Sequence, residues 1–217
     1  MSGEIKLHGY KYSVYTRIAR TVLHLKEVEY QTVEVDPFDE ISPDYRAMNP
    51  FGRVPVLEHG SMVLFETGAV TRYIDRTFLG PVLQPVHTDA LARMDQVMSV
   101  IDNYAYWPLV RQVFSQAFFR PFIGETCDKA EVLAGLTASE TALEFFEKVA
   151  VEGFFLNGDS ITLADCHLAP MIDYFCKTKE GSALFTTFPK LQSWWDKVSG
   201  SAMLQATDPF NSTEPTE

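Results

Sequence analysis

Basic residues are scarce in this chain: 18 Lys and Arg stand against 29 Asp and Glu, a formal net charge of −11 at pH 7. Nucleic acid and anionic lipid surfaces bind through a surplus of lysine and arginine, so neither is expected as a partner. Cysteine is scarce as well. Cys127, Cys166 and Cys176 are odd in number, widely spaced and confined to the second half. That suits neither a disulfide framework, a zinc site nor a paired-cysteine redox motif, and no metal is expected. Cys166 and Cys176 fall in an apolar helical pattern and read as packed thiols. No run approaches the roughly 18 consecutive apolar residues of a membrane span, and the opening MSGEIKLHGY has neither the basic region nor the apolar run of a signal peptide. A cytoplasmic protein is expected, and with 46 % hydrophobic residues among 217 it can bury one large core or two small ones.

The first third alternates strand and helix. Ile5–Leu7 reads as a strand turned by His8-Gly9. Val14–Lys26 has helical spacing, with Val14, Ile18, Val22 and Leu25 on one stripe, and residues 30–35 read as a second strand. A strand, a helical crossover and a strand imply a parallel pair. After an acidic loop over 36–48, with a turn of helix near Asp44–Met48, the stretch NPFGRVPVLEHGSMVLFETGAVTRY (49–73) reads as a β-hairpin, Val54–Leu57 and Met62–Phe65, followed by a helix from Glu66-Thr67. Pro55 lacks a backbone donor and belongs at a strand edge or start, where a cis Val54-Pro55 bond is one way to place it. Val54 could then pair with a peptide-like ligand as an added strand. The amides opening the next helix, with the Thr67 hydroxyl, suit a carboxylate, and Glu66 beside them suits an ammonium. The implied ligand is a small peptide. The plainer alternative is an edge proline and an ordinary helix start.

That run resembles the glutathione-binding core of the glutathione transferases. The closest likeness is to the serine-type, phi-like and theta-like members, with a bacterial look. Val54, Pro55, Glu66 and Thr67 fill the places of the family's valine, cis-proline, acidic and hydroxyl residues. The resemblance implies glutathione as co-substrate, without a metal, conjugated to a small hydrophobic electrophile in detoxification. It also implies a homodimer. Two alternatives stay open: a glutathione-dependent reductase or dehalogenase, and a non-catalytic binding or assembly module on the same fold.

In the first strand–helix turn, Ser13 falls on the family's catalytic serine and directly precedes the helix, so that hydroxyl and helix amides converge. Serine is also a leading helix cap. Tyr10 and Tyr12 are rival donors, or line the electrophile pocket together with Tyr106 and Phe114; Arg17 reads as a surface residue. Where serine-type relatives grip the glycine carboxylate of glutathione with basic side chains, residues 36–42 hold none. Arg53, just before the proline pair, is the substitute cation.

The remainder reads as helical: residues 89–119 with Pro108 inside, then 129–151, 162–177 under a capping box of Thr162 and Asp165, and 190–198. The expected class is α/β plus all-α: a thioredoxin-like βαβ-ββα domain over 1–78, a linker at 79–88, an all-helical substrate domain over 89–210, and a flexible tail at 211–217.

Overall fold

The computed structural model describes residues 3–152, 156, 158 and 160–211. Phe154–Gly158, whose sequence reads as an inward turn, and the tail expected at 211–217 lie outside these, apart from Leu156, Gly158 and Asn211. The chain forms two compact units, one within Met1–Val82 and Ala202–Glu217, the other within Leu83–Ser201.

The first unit is a thioredoxin-like four-stranded sheet in the order β2-β1-β3-β4. β1 (Ile5–Gly9) pairs parallel with β2 (Gln31–Glu34) and antiparallel with β3 (Val56–His59), which pairs antiparallel with β4 (Met62–Phe65). His8-Gly9 and Glu58-His59, expected as turns, extend β1 and β3 instead. Their backbones find ladder partners across the sheet, His8 opposite Val56 and His59 opposite both Ile5 and Met62, which outweighs local turn preference. Pro55 stands just ahead of β3, so its missing donor costs the ladder nothing.

Helix α1 (Val14–Leu25) buries Val14, Ile18, Ala19, Val22 and Leu23. A short α2 (Pro43–Met48) starts on a Ser42 cap, and α3 (Thr67–Thr77) buries Val70 and Ile74. Lys26 at the end of α1 and Asp75 of α3 form an ion pair of 2.7 Å whose side chains are 2 % and 4 % exposed. Removing one partner strands the other charge away from water. Asp75→Ala is therefore expected to cost about 3–5 kcal/mol in a urea unfolding curve, and the apolar pair Lys26→Met with Asp75→Leu to recover most of it.

In the second unit, α4 (Thr88–Val100) runs on through π-wound turns at Ile101–Ala105 and α5 (Trp107–Phe119). Pro108, a residue expected to kink or divide such a run, does not end it: helical residues continue on both sides of it, and the winding around it is π. α6 (Lys129–Glu152) approaches α5 closely at Gly135, where a Cβ would lie 2.6 Å from the Cβ of Gln112. α7 (Leu163–Cys176) is buried on nearly every side and carries Pro170 within it; α8 (Lys179–Phe185) and α9 (Pro189–Val198) follow. Cys166 is fully buried. Cys176 is only half-buried, yet burial, with Asp173 nearby, pushes its thiol up to about 12. Leu83, inside the expected linker, is buried, and its carbonyl accepts from the amide of Leu163.

The last helix, α10 (Ala202–Thr207), belongs with the first unit, where Met203, Leu204 and Thr207 are buried and it packs on α1.

Candidate functional site

Strand pairing alone assembles the site. His8 of β1 lies opposite Val56 of β3, Val56 opposite Phe65 of β4, and Gly9 opposite Glu34 of β2. Adjacent strands are roughly 5 Å apart. The segments that leave the sheet beside this row therefore emerge along one edge: Tyr10–Ser13, Val54-Pro55, Glu66-Thr67 and the loop from Val35.

Ser13 is the N-cap of α1, and its Oγ accepts from the Thr16 amide at 3.3 Å. The cap uses a lone pair, so the hydroxyl hydrogen can donate to an anion placed at the helix start. Both roles expected of Ser13 are thus compatible. Helix α1 begins close to its strand because Gly9 has no side chain: a Cβ there would lie 2.4 Å from Thr16 Cγ2. The turn between them is closed by the Ser13 amide donating to the Tyr10 carbonyl, 3.0 Å, and held by the Lys11 amide donating to the Glu34 carboxylate, 2.9 Å.

Tyr10 and Tyr12 meet edge-on at 5.6 Å, and Phe38 packs edge-on against Tyr10 at 5.8 Å. Burial, then the charges of Asp36, Tyr12, Glu34 and Asp39, push the Tyr10 phenol up to about 12. Raised that far, the phenol is protonated at neutral pH and serves as a hydrogen-bond donor. The same carboxylates make this side of the site acidic.

The Val54-Pro55 bond is cis. The loop before it is fixed by the Arg53 carbonyl, which accepts from Tyr45 Oη and Asn49 Nδ2, each at 2.8 Å. Asn49 Oδ1 also takes the Phe51 amide. Val54 itself lies outside the ladder, which starts at Val56. The Arg53 side chain is exposed, and Arg46 Nη1 reaches toward Gly52, 3.5 Å from where a Cβ would stand.

Glu66 precedes α3 with φ +67° and ψ 112°, a region a β-carbon resists at a cost of about 1–3 kcal/mol. Its side chain makes no cap bond and is exposed, while its carbonyl accepts from the Ala69 and Val70 amides. The Thr67 and Gly68 amides open the helix, so a carboxylate and a pair of helix-start donors sit side by side. Arg17, expected at the surface, is instead 1 % exposed, with Nη2 donating to the Leu204 carbonyl at 3.0 Å.

Tyr106 and Phe114 lie in the second unit. Tyr106 is half-buried, between the two π-wound segments. Phe114 is 3 % exposed and stacked on Tyr174 at 4.3 Å, so its ring is committed to helix packing. Among the described residues, no group of three or more His, Cys, Asp and Glu side chains could hold a metal. The residues that escaped the sequence reading are Tyr45, Asn49, Glu34 and Phe38. Of these only Asn49, in its Asn-Pro-Phe-Gly turn, carried a local signal, and its hold on the Arg53 carbonyl required the fold.

The family model described as "Glutathione S-transferase, N-terminal domain" matches residues 3–76, and that described as "Glutathione S-transferase, C-terminal domain" matches 106–202. Glutathione S-transferase F13 of Arabidopsis thaliana is 29 % identical, covering 98 % of both chains. A glutathione S-transferase of Hyoscyamus muticus is 30 % identical over 88 % of this chain and 91 % of its own. Both are plant proteins, where the sequence had suggested a bacterial affinity. The solved structure of glutathione S-transferase III in apo form superposes with a TM-score of 0.85 at 29 % identity, covering 99 % and 100 % of the two chains. That of glutathione S-transferase I from mais, in complex with an atrazine glutathione conjugate, superposes at 0.81 with 26 % identity, covering 94 % and 96 %.

Proposed function

This chain belongs to the glutathione S-transferase family, and on that premise we propose that it is a serine-type transferase. In this reading it adds the thiolate of glutathione to a small hydrophobic electrophile. The observation that carries it is the row of strand ends that brings Ser13, Val54 and Glu66-Thr67 to one edge of the sheet. Ser13 donates to the sulfur, aided by the start of α1, and lowers the proton affinity of a thiol that is mostly protonated at neutral pH when free. Val54 pairs with the cysteinyl backbone as an added strand. The Thr67 and Gly68 amides take the γ-glutamyl carboxylate, and Glu66 takes its ammonium. Arg53 is the cation assigned to the glycine carboxylate. Tyr10 and Tyr12 present an aromatic face to the electrophile. The substrates are the cytoplasmic electrophiles that detoxification removes.

The strained backbone of Glu66 separates binding from stability. Glu66→Gly relieves the positive φ and is expected to stabilise the fold by about 1 kcal/mol, while weakening glutathione roughly tenfold or more by deleting the ammonium partner. A melting curve and a glutathione titration check the two halves.

The acidic side of the site leads to a further expectation. The resemblance directs the glycine carboxylate of glutathione toward residues 36–42, where Asp36 and Asp39 stand and no lysine or histidine does. With Arg53 as the cation assigned to that carboxylate, glutathione esterified at the glycine is expected to show a lower kcat/KM than glutathione itself on the wild type, and little difference from it on Arg53→Ala. Two copies are proposed to pair, with Phe51, exposed and edge-on to Phe65 at 6.0 Å, as an anchor; light scattering at twice the chain's mass checks this. The function as a whole is tested on a glutathione-affinity column and in a chloro-nitrobenzene conjugation assay. Retention and turnover support it, and absence of both overturns it.

A further inference from the structure

The last described residues return to the one stretch on which the chemistry rests. Helix α10 packs on α1, with Leu204 and Thr207 buried. Its Leu204 carbonyl accepts from Nη2 of the buried Arg17, one turn beyond Ser13. Its Thr207 hydroxyl lies 3.3 Å from that of Thr21, which itself donates to the Arg17 carbonyl. Beyond α10 the chain doubles back in a tight turn: Asp208 Oδ1 accepts from the Phe210 amide at 3.1 Å, and the Asp208 carbonyl accepts from Asn211. This turn lays the Phe210 ring on Tyr12, stacked at 5.2 Å and 27°. Tyr12 immediately precedes Ser13.

We propose that the C-terminal segment Ala202–Phe210 is a positioning element for the Ser13 hydroxyl, gripping its neighbours on both sides, Tyr12 through Phe210 and Arg17 through Leu204. The inference rests on the serine-type reading above. Its physical content is a restriction of freedom. The turn that carries Ser13 is short and lies at a helix start, where backbone frays most easily. Lys11 in the middle of that turn adds no rigidity of its own, as a proline would. Among its anchors are the Ser13 amide on the Tyr10 carbonyl, the Lys11 amide on Glu34, the cap bond to Thr16 and, on the Tyr12 ring, the contacts with Tyr10 and Phe210. A hydroxyl that stabilises a thiolate must hold its donor direction within a narrow range, since hydrogen bonds weaken steeply with angle. Loosening Tyr12 widens that range without touching the peptide-binding residues. Phe210 is therefore a positioning residue: it contacts no reacting atom and acts through Tyr12 and the turn.

The test is the pH titration of the thiolate absorbance of glutathione bound to the full chain, with steady-state kinetics and melting curves alongside. Phe210→Ala is expected to raise the bound thiol's proton affinity about tenfold and to lower kcat at neutral pH in step, with KM for glutathione changed less than about twofold. Phe210→Tyr, which keeps the stack, is expected to behave as wild type. Asp208→Ala, which removes the side-chain acceptor for the Phe210 amide, is expected to move the titration in the same direction by less. A Phe210→Ala protein that titrates as wild type overturns the inference, as does a loss confined to melting temperature or a failure of Phe210→Tyr to restore the profile. If instead Ser13→Ala titrates as wild type, or the wild-type protein binds no glutathione, the serine-type function is overturned and this inference with it.

Discussion

Ser13→Ala is expected to lower kcat/KM for conjugation about a hundredfold at neutral pH, the scale of losing one preorganised donor to a developing or resident anion. It is also expected to cost about 1 kcal/mol of stability, because the alanine no longer caps α1. The two effects separate by a second substitution. Glycine at a cap position costs only a few tenths of a kcal/mol relative to serine, so Ser13→Gly is expected to melt close to wild type and yet to lose the same activity. The cap bond itself, from the Thr16 amide to Ser13 Oγ, uses the oxygen as acceptor, and both substitutions remove it with the donor; glycine differs from alanine only in how well it is tolerated at the cap position. Retained activity in both variants would move the assignment to Tyr10 or Tyr12, the other donors of this turn. Tyr10, pushed up to about 12 by burial and its acidic neighbours, would act there as a neutral donor.

How much of this site the sequence showed depends on the range of the interactions behind each part. The hairpin, the place of Pro55 and the start of α3 rest on local turn chemistry and alternation, and they were legible. The boundaries of β1 and β3 were not, because His8-Gly9 and Glu58-His59 become strand only through partners elsewhere in the sheet. Arginine is normally a surface residue, and the acceptor that keeps Arg17 buried lies 187 residues away on α10. Helix α10 itself spans six residues, under two turns, too few for any periodicity to declare itself. The positive φ of Glu66 left no trace at all, since strain is a property of the fold imposed on the residue. The helical unit was readable as helix but not in its winding around Pro108, since apolar spacing does not separate π turns from α turns over so short a run.

Asp165→Ala is expected to cost as much stability as breaking the buried Lys26–Asp75 pair. The capping box foretold from Thr162 and Asp165 is present, and as a cap alone its loss would cost about 1 kcal/mol. The carboxylate does more. It accepts from the Thr162 amide at 2.7 Å, the Thr162 hydroxyl at 2.8 Å and Trp194 Nε1 at 2.9 Å, in a fully buried setting. Alanine leaves three donors in apolar surroundings, each costing about 1–3 kcal/mol. A loss of about 3–5 kcal/mol, or roughly 10 °C in melting temperature for a chain of this size, follows. Asparagine does not rescue it, because its amide sets a donor against either Trp194 or Thr162.

The same carboxyl carries a pH signature. Burial raises it from 3.8 to about 7, against the pull of its hydrogen bonds from Thr162 and Trp194. Its affinity for a proton is therefore higher folded than unfolded. The stabilisation this provides is complete below pH 3.8 and is lost as pH rises through about 7. The difference in unfolding free energy between wild type and Asp165→Asn is expected to shrink over that window, and activity per folded molecule is expected to stay unchanged in either variant.

The account turns on whether the edge of the sheet at Ser13 holds a tripeptide with its sulfur ionised. The most direct measurement is the titration of glutathione bound to the wild-type protein, followed by thiolate absorbance across pH 5 to 10. The predicted result is a midpoint well below the free thiol's value of about 8.5, returning toward it in Ser13→Gly. A bound thiol that titrates at the free value in the wild type would contradict the account.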